Sequence, residues 1–451
     1  MHIRHVVLEN IRRFGSGAAR VDLALPPRGW IVVAGPNGAG KTTFLQVLAL
    51  ALSPPLEQAF AETMFSWLRW GAKSASSRLT LVPSSEDVLR AVEIEIYSTK
   101  AADEELLIGD DWQPGRGGMM RHGRESENNR AFAGPWNPEP KGWFAAGYGA
   151  HRRLFGQASS TDGWASGTAR EGAFLTLFRN DASLAHPIRW LMGLDYRHLD
   201  PNVPPPEQKE AKRIIDGVVS LLNDGLLDGT EVLGVNSNGL SVKQEGQPFS
   251  ITDLGAGAQV LAALVVDIVR HMHARFGTMH FAQHQQHPTV EHSGVVLIDE
   301  VEAHLHPAWQ RRLGIWLCEH FPNVQFIVTT HSPFVCQAAT ENGLILLPAP
   351  GSLEPARIAD AEVYRSVVNG SVDEVLLSGL FGLEHTWSED AERKRERLAT
   401  LEARVLTGKA KPAERVEYKR LLAEIPQTMS DDVERAAAKL TASQAAFAHK
   451  R

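Results

Sequence analysis

The sequence predicts an α/β fold: a head with a mostly parallel sheet, an inserted α+β lobe and a helical C-terminal tail. Three observations predict it. Near the N-terminus an apolar strand runs into a glycine-rich turn and then into a helix, the opening of a parallel α/β core. Between residues 295 and 347, apolar stretches alternate with helix-like ones in the order βαβαβ, and strands apolar on both faces belong in a buried parallel sheet. After residue 360 the composition shifts to charge-dense segments with helical character.

Residues 3–8, 20–25 and 30–34 read as strands, and 41–52 as a helix stopped by Ser53-Pro54-Pro55, because proline lacks the amide that would continue it. The next two hundred residues are less regular. A helix is expected over 57–70, a strand over 91–97, a mobile loop over 109–140, a helix over 211–222 and a hairpin turned at Asn238-Gly239. Order returns with a strongly apolar helix at 258–272 and a His- and Gln-rich stretch at 280–292 that reads as a solvated linker. Strands follow at 295–298, 324–328 and 344–347, separated by helices at 308–321 and 334–339. Tail helices are expected at 373–380, 388–406, 413–423 and 431–446. The expected division is core 1–52, lobe 53–250, core 251–359 and tail 360–451.

Composition excludes several classes. With 451 residues, 43% hydrophobic and 22% charged, the chain is globular rather than disordered. A net charge of −7 supplies no overall basic field to draw it onto nucleic acid. The two cysteines, Cys318 and Cys336, make neither a disulfide framework nor a metal finger, which fits the reducing cytoplasm. The opening stretch has no signal-peptide core, and no window approaches a membrane span, so a soluble protein is expected.

The strongest motif is Gly35-Pro36-Asn37-Gly38-Ala39-Gly40-Lys41-Thr42-Thr43, which fits G-x-x-x-x-G-K-[ST] between a strand and a helix. Glycines let successive backbone N–H groups curl around phosphate oxygens, and the helix N-terminus adds its dipole. Lys41 would neutralise the β- and γ-phosphates of ATP, and Thr42 would offer an oxygen to Mg²⁺. Asp299 and Glu300 end an apolar strand, where a parallel sheet presents ligand-facing residues. Asp299 is the expected magnesium ligand through water, and Glu300 the base that polarises the attacking water. His331, at the next strand end, is the candidate γ-phosphate sensor.

These motifs, with Glu302-Ala303-His304-Leu305-His306-Pro307 and Thr329-Thr330-His331-Ser332-Pro333, resemble the ABC-type P-loop ATPases of the SMC, RecF and OLD-nuclease branch. They most resemble the compact ATPases of prokaryotic anti-phage defence operons, such as the Septu and PARIS systems. The resemblance covers roughly residues 1–50 and 250–350. It implies that a signature segment of one subunit closes over nucleotide held by another, and the matching segment is Leu254-Gly255-Ala256-Gly257-Ala258-Gln259. Gly255 stands where a serine is usual, which removes one contact to the γ-phosphate. A glutamine-bearing loop linked to magnesium is also implied; Gln157 and the stretch 148–153 are alternative candidates.

Other features are weaker. Glu302, His304 and His306 read as an interface loop, with Pro307 opening the next helix, rather than as a metal site. The spacing of His280, His284, His287 and His292 fits no fixed metal geometry. Arg116, Arg121, Arg124, Arg130, Arg152 and Arg153 could touch a nucleic acid backbone, but Asp111, Glu125 and Glu127 dilute them. The text between Lys41 and Asp299 is broken by proline and glycine rather than heptad-patterned, so no long coiled-coil arm is expected. No second catalytic constellation is visible. The expectation is therefore an ATPase that works as a homodimer or higher homo-oligomer, away from membranes, and controls a separate nuclease or toxin. The alternative is a RecF-like repair ATPase that binds DNA directly.

Overall fold

The computed structural model describes residues 1–53, 67–89, 99–100, 105–115, 118–126, 134–137, 140–152, 170–179, 184, 186–352, 354–378, 380–381, 383 and 387–425. In chain order the main elements begin with strands β1 (His2–Glu9), β2 (Val21–Ala24) and β3 (Gly29–Ala34), helix α1 (Lys41–Leu52) and strand β4 (Ala75–Val82). Strands β5 (Leu106–Gly115), β6 (Gly118–Ser126) and β7 (Ala145–Tyr148) come next, then helices α2 (His186–Leu199) and α3 (Pro205–Asn223). A meander of β8 (Glu231–Asn236), β9 (Gly239–Gln244) and β10 (Gln247–Ser250) precedes helix α4 (Ala256–Phe276). Then come β11 (Phe281–His284), β12 (His287–Val290), β13 (Gly294–Ile298), α5 (Pro307–His320) and β14 (Val324–Thr329). β15 (Leu344–Leu346), β16 (Arg357–Ile358), α6 (Ala361–Asn369) and α7 (Val372–Leu377) complete the first of two compact units, Met1–Gly382.

A six-stranded sheet in the order β16-β15-β3-β14-β13-β7 is parallel except for the β15–β16 pair. Alternate residues of its strands enter different cores. Trp30, Val32, Val296, Ile298, Phe326 and Val328 lie in one, and Ile31, Val33, Val295, Leu297 and Ile327 in the other. This two-residue period places helices on both faces. On one side the core includes residues of α2, α3, α4 and α5. On the other, α1 packs its Phe44, Leu45, Val47 and Leu48 together with Ile3, Val6, Leu8, Leu79 and Ile108 of a second sheet. That second sheet is antiparallel, in the order β2-β1-β4-β5-β6. The α/β architecture with a mostly parallel sheet is as expected.

Three local expectations are corrected. Within the stretch 109–140, read as a mobile loop, β5 and β6 pair as a hairpin and β5 pairs with β4. The reason is visible in β5, where Ile108 and Trp112 are buried although glycine, proline and aspartate dominate the composition. Strand β7, inside the expected lobe 53–250, is an edge strand of the parallel sheet, paired with β13. The His- and Gln-rich stretch is a hairpin, β11–β12, turned at Gln285 and Gln286, both at positive φ. The helix expected over 57–70 falls mostly, and the strand over 91–97 and the last tail helix wholly, outside the described residues; 67–70 are not helical.

The second unit, Leu383–Arg451, contains α8 (Glu389–Leu406) and α9 (Pro412–Glu424). These helices bury Leu398, Leu401, Leu421 and Ile425 against each other. Arg397 binds Glu417 through two hydrogen bonds of 2.9 and 2.8 Å. Among the described residues no helix is long and apolar enough to cross a membrane.

Gln325, buried in β14, joins the two sheets. Its Oε1 accepts from the Ile3 amide at 2.8 Å, and its Nε2 donates to the carbonyls of Ile3 at 2.8 Å and Pro26 at 2.6 Å. Gln325→Leu keeps the volume and strands these backbone groups. The expected destabilisation is about 2–5 kcal/mol, since each buried unpaired group costs about 1–3 kcal/mol; the drop in thermal midpoint by calorimetry checks it.

Candidate nucleotide site

The loop between β3 and α1 is shaped by glycines that no side-chain residue replaces without strain. Gly38 sits at φ 73° and Gly40 at φ 100°, the left-handed region that penalises a Cβ. Gly40 is the N-cap of α1, which has no side-chain cap and no acid in its first turn. The positive end of that helix dipole is left for an external anion. Lys41 folds back over the loop, its Nζ donating to the Gly35 carbonyl at 2.7 Å and the Pro36 carbonyl at 3.2 Å. Burial lowers the Lys41 pKa, against the opposing pull of Asp299, Glu300 and Glu302.

The acidic strand end meets this loop directly. Thr42 Oγ1 donates to Asp299 Oδ2 at 2.8 Å, and Thr329 Oγ1, at the end of β14, donates to Asp299 Oδ1 at 2.5 Å. Thr329 Oγ1 also accepts from the Glu300 amide at 2.8 Å. Asp299 is 5% exposed, whereas Glu300 is exposed at φ 42°. A non-glycine residue at such φ costs about 1–3 kcal/mol and persists only where its surroundings impose it. Those surroundings centre on Arg152, which is 2% exposed. Its Nη1 donates to the carbonyls of Gly149 at 3.0 Å and Asp299 at 2.7 Å. Its Nη2 donates to those of Glu300 at 2.9 Å and Val301 at 3.3 Å. Burial lowers the Arg152 pKa to about 10, with Asp299, Glu302 and Glu300 opposing, so it stays cationic at neutral pH.

Thr42 and Asp299 offer only hard oxygens beside Lys41, a donor set that fits Mg²⁺ rather than a softer ion. Glu302 fixes the neighbouring turn: its carboxylate accepts from Thr330 Oγ1 at 2.7 Å and from the His331 amide. His331 is exposed. His306 caps α5, accepting from the Ala308 amide at 3.3 Å, with Pro307 opening the helix. The Leu254–Gln259 stretch forms the entry to α4, with Gly255 as an exposed N-cap. Gln259 Nε2 holds that entry by donating to the carbonyls of Thr252 and Leu254, both at 2.7 Å. A Cβ on Gly257 would lie 2.8 Å from the His304 carbonyl oxygen, so the helix entry packs tightly on the loop after the acids.

Sequence reasoning missed two contributors. Thr329 is one, legible only once β13 and β14 are adjacent. The other is a cleft of about 360 Å³ lined by Arg12, Arg13, Phe14, Ala39, Trp70 and Pro348. Arg12 reaches the phosphate-loop helix through Thr43 Oγ1 at 3.0 Å. A basic pair followed by an aromatic just after the first strand was the available signal. Of the two candidates for a magnesium-linked loop, Gln157 lies outside the described residues.

A model described as "AAA domain" matches residues 5–63, and one described as "AAA domain, putative AbiEii toxin, Type IV TA system" matches residues 173–337. The matches to AAA-domain models thus fall on both sides of the chain's middle segment. It is 31% identical over 143 residues to "Retron Vc95 probable ATPase" of Vibrio cholerae serotype O1 biovar El Tor, across 31% of this chain and 25% of that protein. It is 40% identical over 106 residues to "Septu protein PtuA" of Bacillus thuringiensis, across 22% of this chain and 24% of that protein. The matches thus span about a quarter of either relative's length. An SMC head solved with the C-terminal winged-helix domain of ScpA aligns with 80% of this chain and 98% of its own, at 16% identity and a TM-score of 0.46.

Arg152→Met removes a donor from four carbonyls. It is expected to destabilise the protein by about 3–5 kcal/mol, read as a lowered thermal midpoint, with Arg152→Lys recovering only part of the loss.

Proposed function

We propose that this protein is an Mg²⁺-dependent ABC-type ATPase that acts as a nucleotide-gated homodimeric switch, and that it is the regulatory subunit of an anti-phage defence system controlling a separate effector. The observation that carries the ATPase reading is the hydrogen bond from Thr42 to Asp299, which brings the phosphate loop and the acidic strand end to one point.

ATP seats its phosphates on the loop amides and the α1 N-terminus, and Lys41 turns from the Gly35 carbonyl to the β- and γ-phosphates. Magnesium held by Thr42 and Asp299 would neutralise charge on the phosphate oxygens. Glu300 orients a water on the γ-phosphorus. As the new P–O bond forms and the bond to the β-phosphate oxygen breaks, Glu300 takes the water's proton and ADP is the leaving group. Arg152 and Thr329 are positioning residues: they fix the backbone from which Asp299 and Glu300 project. His331 contacts the γ-phosphate. Arg12 and Phe14 line a cleft beside the loop that suits the base.

The dimer reading is supported by the exposed, uncapped α4 entry at Gly255, whose backbone can approach a second copy's γ-phosphate closely. Loss of that phosphate removes the differential affinity that favours closure. The defence role and the separate effector rest on the likeness to the retron and Septu proteins.

Glu300→Gln is expected to keep ATP binding, lower turnover about 10²- to 10⁴-fold and accumulate a dimer with ATP. Hydrolysis assays and light scattering check this, and normal turnover in the variant refutes the role of Glu300.

A further inference from the structure

A second constellation lies away from the phosphate loop, where three elements converge. Asp224 terminates α3, His287 begins β12 after the Gln285-Gln286 turn, and His320 ends α5. Asp224 Oδ2 lies 2.6 Å from His287 Nδ1 and 2.8 Å from His320 Nε2. The three ligand atoms all fall within 4.8 Å of one another.

The surroundings fix the chemistry of His320. Its Nδ1 lies 2.8 Å from the Trp316 carbonyl oxygen, and a carbonyl only accepts, so Nδ1 carries the hydrogen. In neutral imidazole that leaves Nε2 with a lone pair facing a carboxylate oxygen. Either a proton or a metal ion between these two atoms makes the 2.8 Å contact attractive. The ring is 1% exposed and stacked on Trp316 at 3.9 Å, which fixes its orientation toward Asp224. Trp316 also donates its Nε1–H to the Asp224 carbonyl at 2.8 Å, so one side chain holds both the histidine and the backbone of the aspartate. A histidine whose far nitrogen is hydrogen-bonded to a backbone carbonyl is the usual arrangement of a metal ligand.

We propose that Asp224, His287 and His320 bind a borderline divalent metal ion of the Zn²⁺ class, with a fourth position open to solvent. Two imidazoles and one carboxylate suit Zn²⁺ or Co²⁺ and not Mg²⁺, so this site is chemically distinct from the all-oxygen pair Thr42–Asp299. Entry needs only a modest spread, from hydrogen-bond spacing to the edge of about 3.3 Å of a tetrahedron around an ion with bonds of about 2.0–2.1 Å. His287, 43% exposed on a hairpin, gives both the path and the freedom to move. Bound metal would tie α3, the β11–β12 hairpin and α5 together, and α5 opens directly after the loop that follows Asp299 and Glu300.

The test uses the tag-free full chain, stripped with chelator and kept without nucleotide. Titration with ZnCl₂ by calorimetry is expected to show one tight equivalent, and CoCl₂ to give the visible absorption of a low-coordinate nitrogen–oxygen site. His287→Ala, at a half-exposed position, is expected to fold normally by circular dichroism and to weaken Zn²⁺ binding at least about tenfold; Asp224→Asn should behave alike. No binding heat and no cobalt spectrum would mean that the three residues share only protons, and would overturn the proposal. Unchanged affinity in His287→Ala would assign the ion to other histidines and overturn it equally.

Discussion

One carboxylate organises the centre of this molecule. Asp299 stands at the end of a fully buried strand and accepts hydroxyl hydrogen bonds from Thr42 and Thr329. Those threonines belong to α1 and β14, so a single side chain ties together the phosphate loop and two adjacent strand ends. A buried carboxylate is costly unless each oxygen is satisfied, and here both are. The same oxygens are the natural seat of a hard cation, so the satisfied state and a metal-bound state exchange one set of partners for another.

The strain around Asp299 is local and compensated. Glu300 and His304 both adopt positive φ, and the chain between them is fixed by Arg152 from one side and by the close approach of Gly257 from the other. Arg152 sends both guanidinium arms into backbone carbonyls rather than into a carboxylate. Its charge therefore counters the negative cluster of Asp299, Glu300 and Glu302 while its geometry sets their backbone. A lysine, with a single terminal nitrogen, lacks the planar fork that spans these carbonyls.

Much of the core was legible in the sequence because local and global signals agree there. The helix after Gly40 spans Lys41–Leu52 as read, with Gly40 at its N-cap and an extended Ser53 at its C-cap. The strands holding Val295, Val328 and Leu344 are apolar on both faces, and only a buried parallel sheet accommodates that. The β5–β6 hairpin was not legible, because the glycines and arginines in its sequence outweigh the few buried residues such as Ile108 and Trp112. The β11–β12 hairpin lacks an Asn-Gly turn and uses two glutamines at positive φ, which no turn rule favours. The grouping of Asp224, His287 and His320 depends on packing between distant segments, so spacing within the histidine-rich stretch alone pointed away from it.

The central claim is that the phosphate loop and the acidic strand end act as one cation-dependent nucleotide site. Equilibrium binding of ATP with and without Mg²⁺, compared between the wild type and Asp299→Asn, tests it most directly. Magnesium should tighten ATP binding to the wild type and lose that effect in the variant, while Mg²⁺-free binding remains similar in both. Equal magnesium dependence in the two proteins, or ATP binding by neither, would contradict the account.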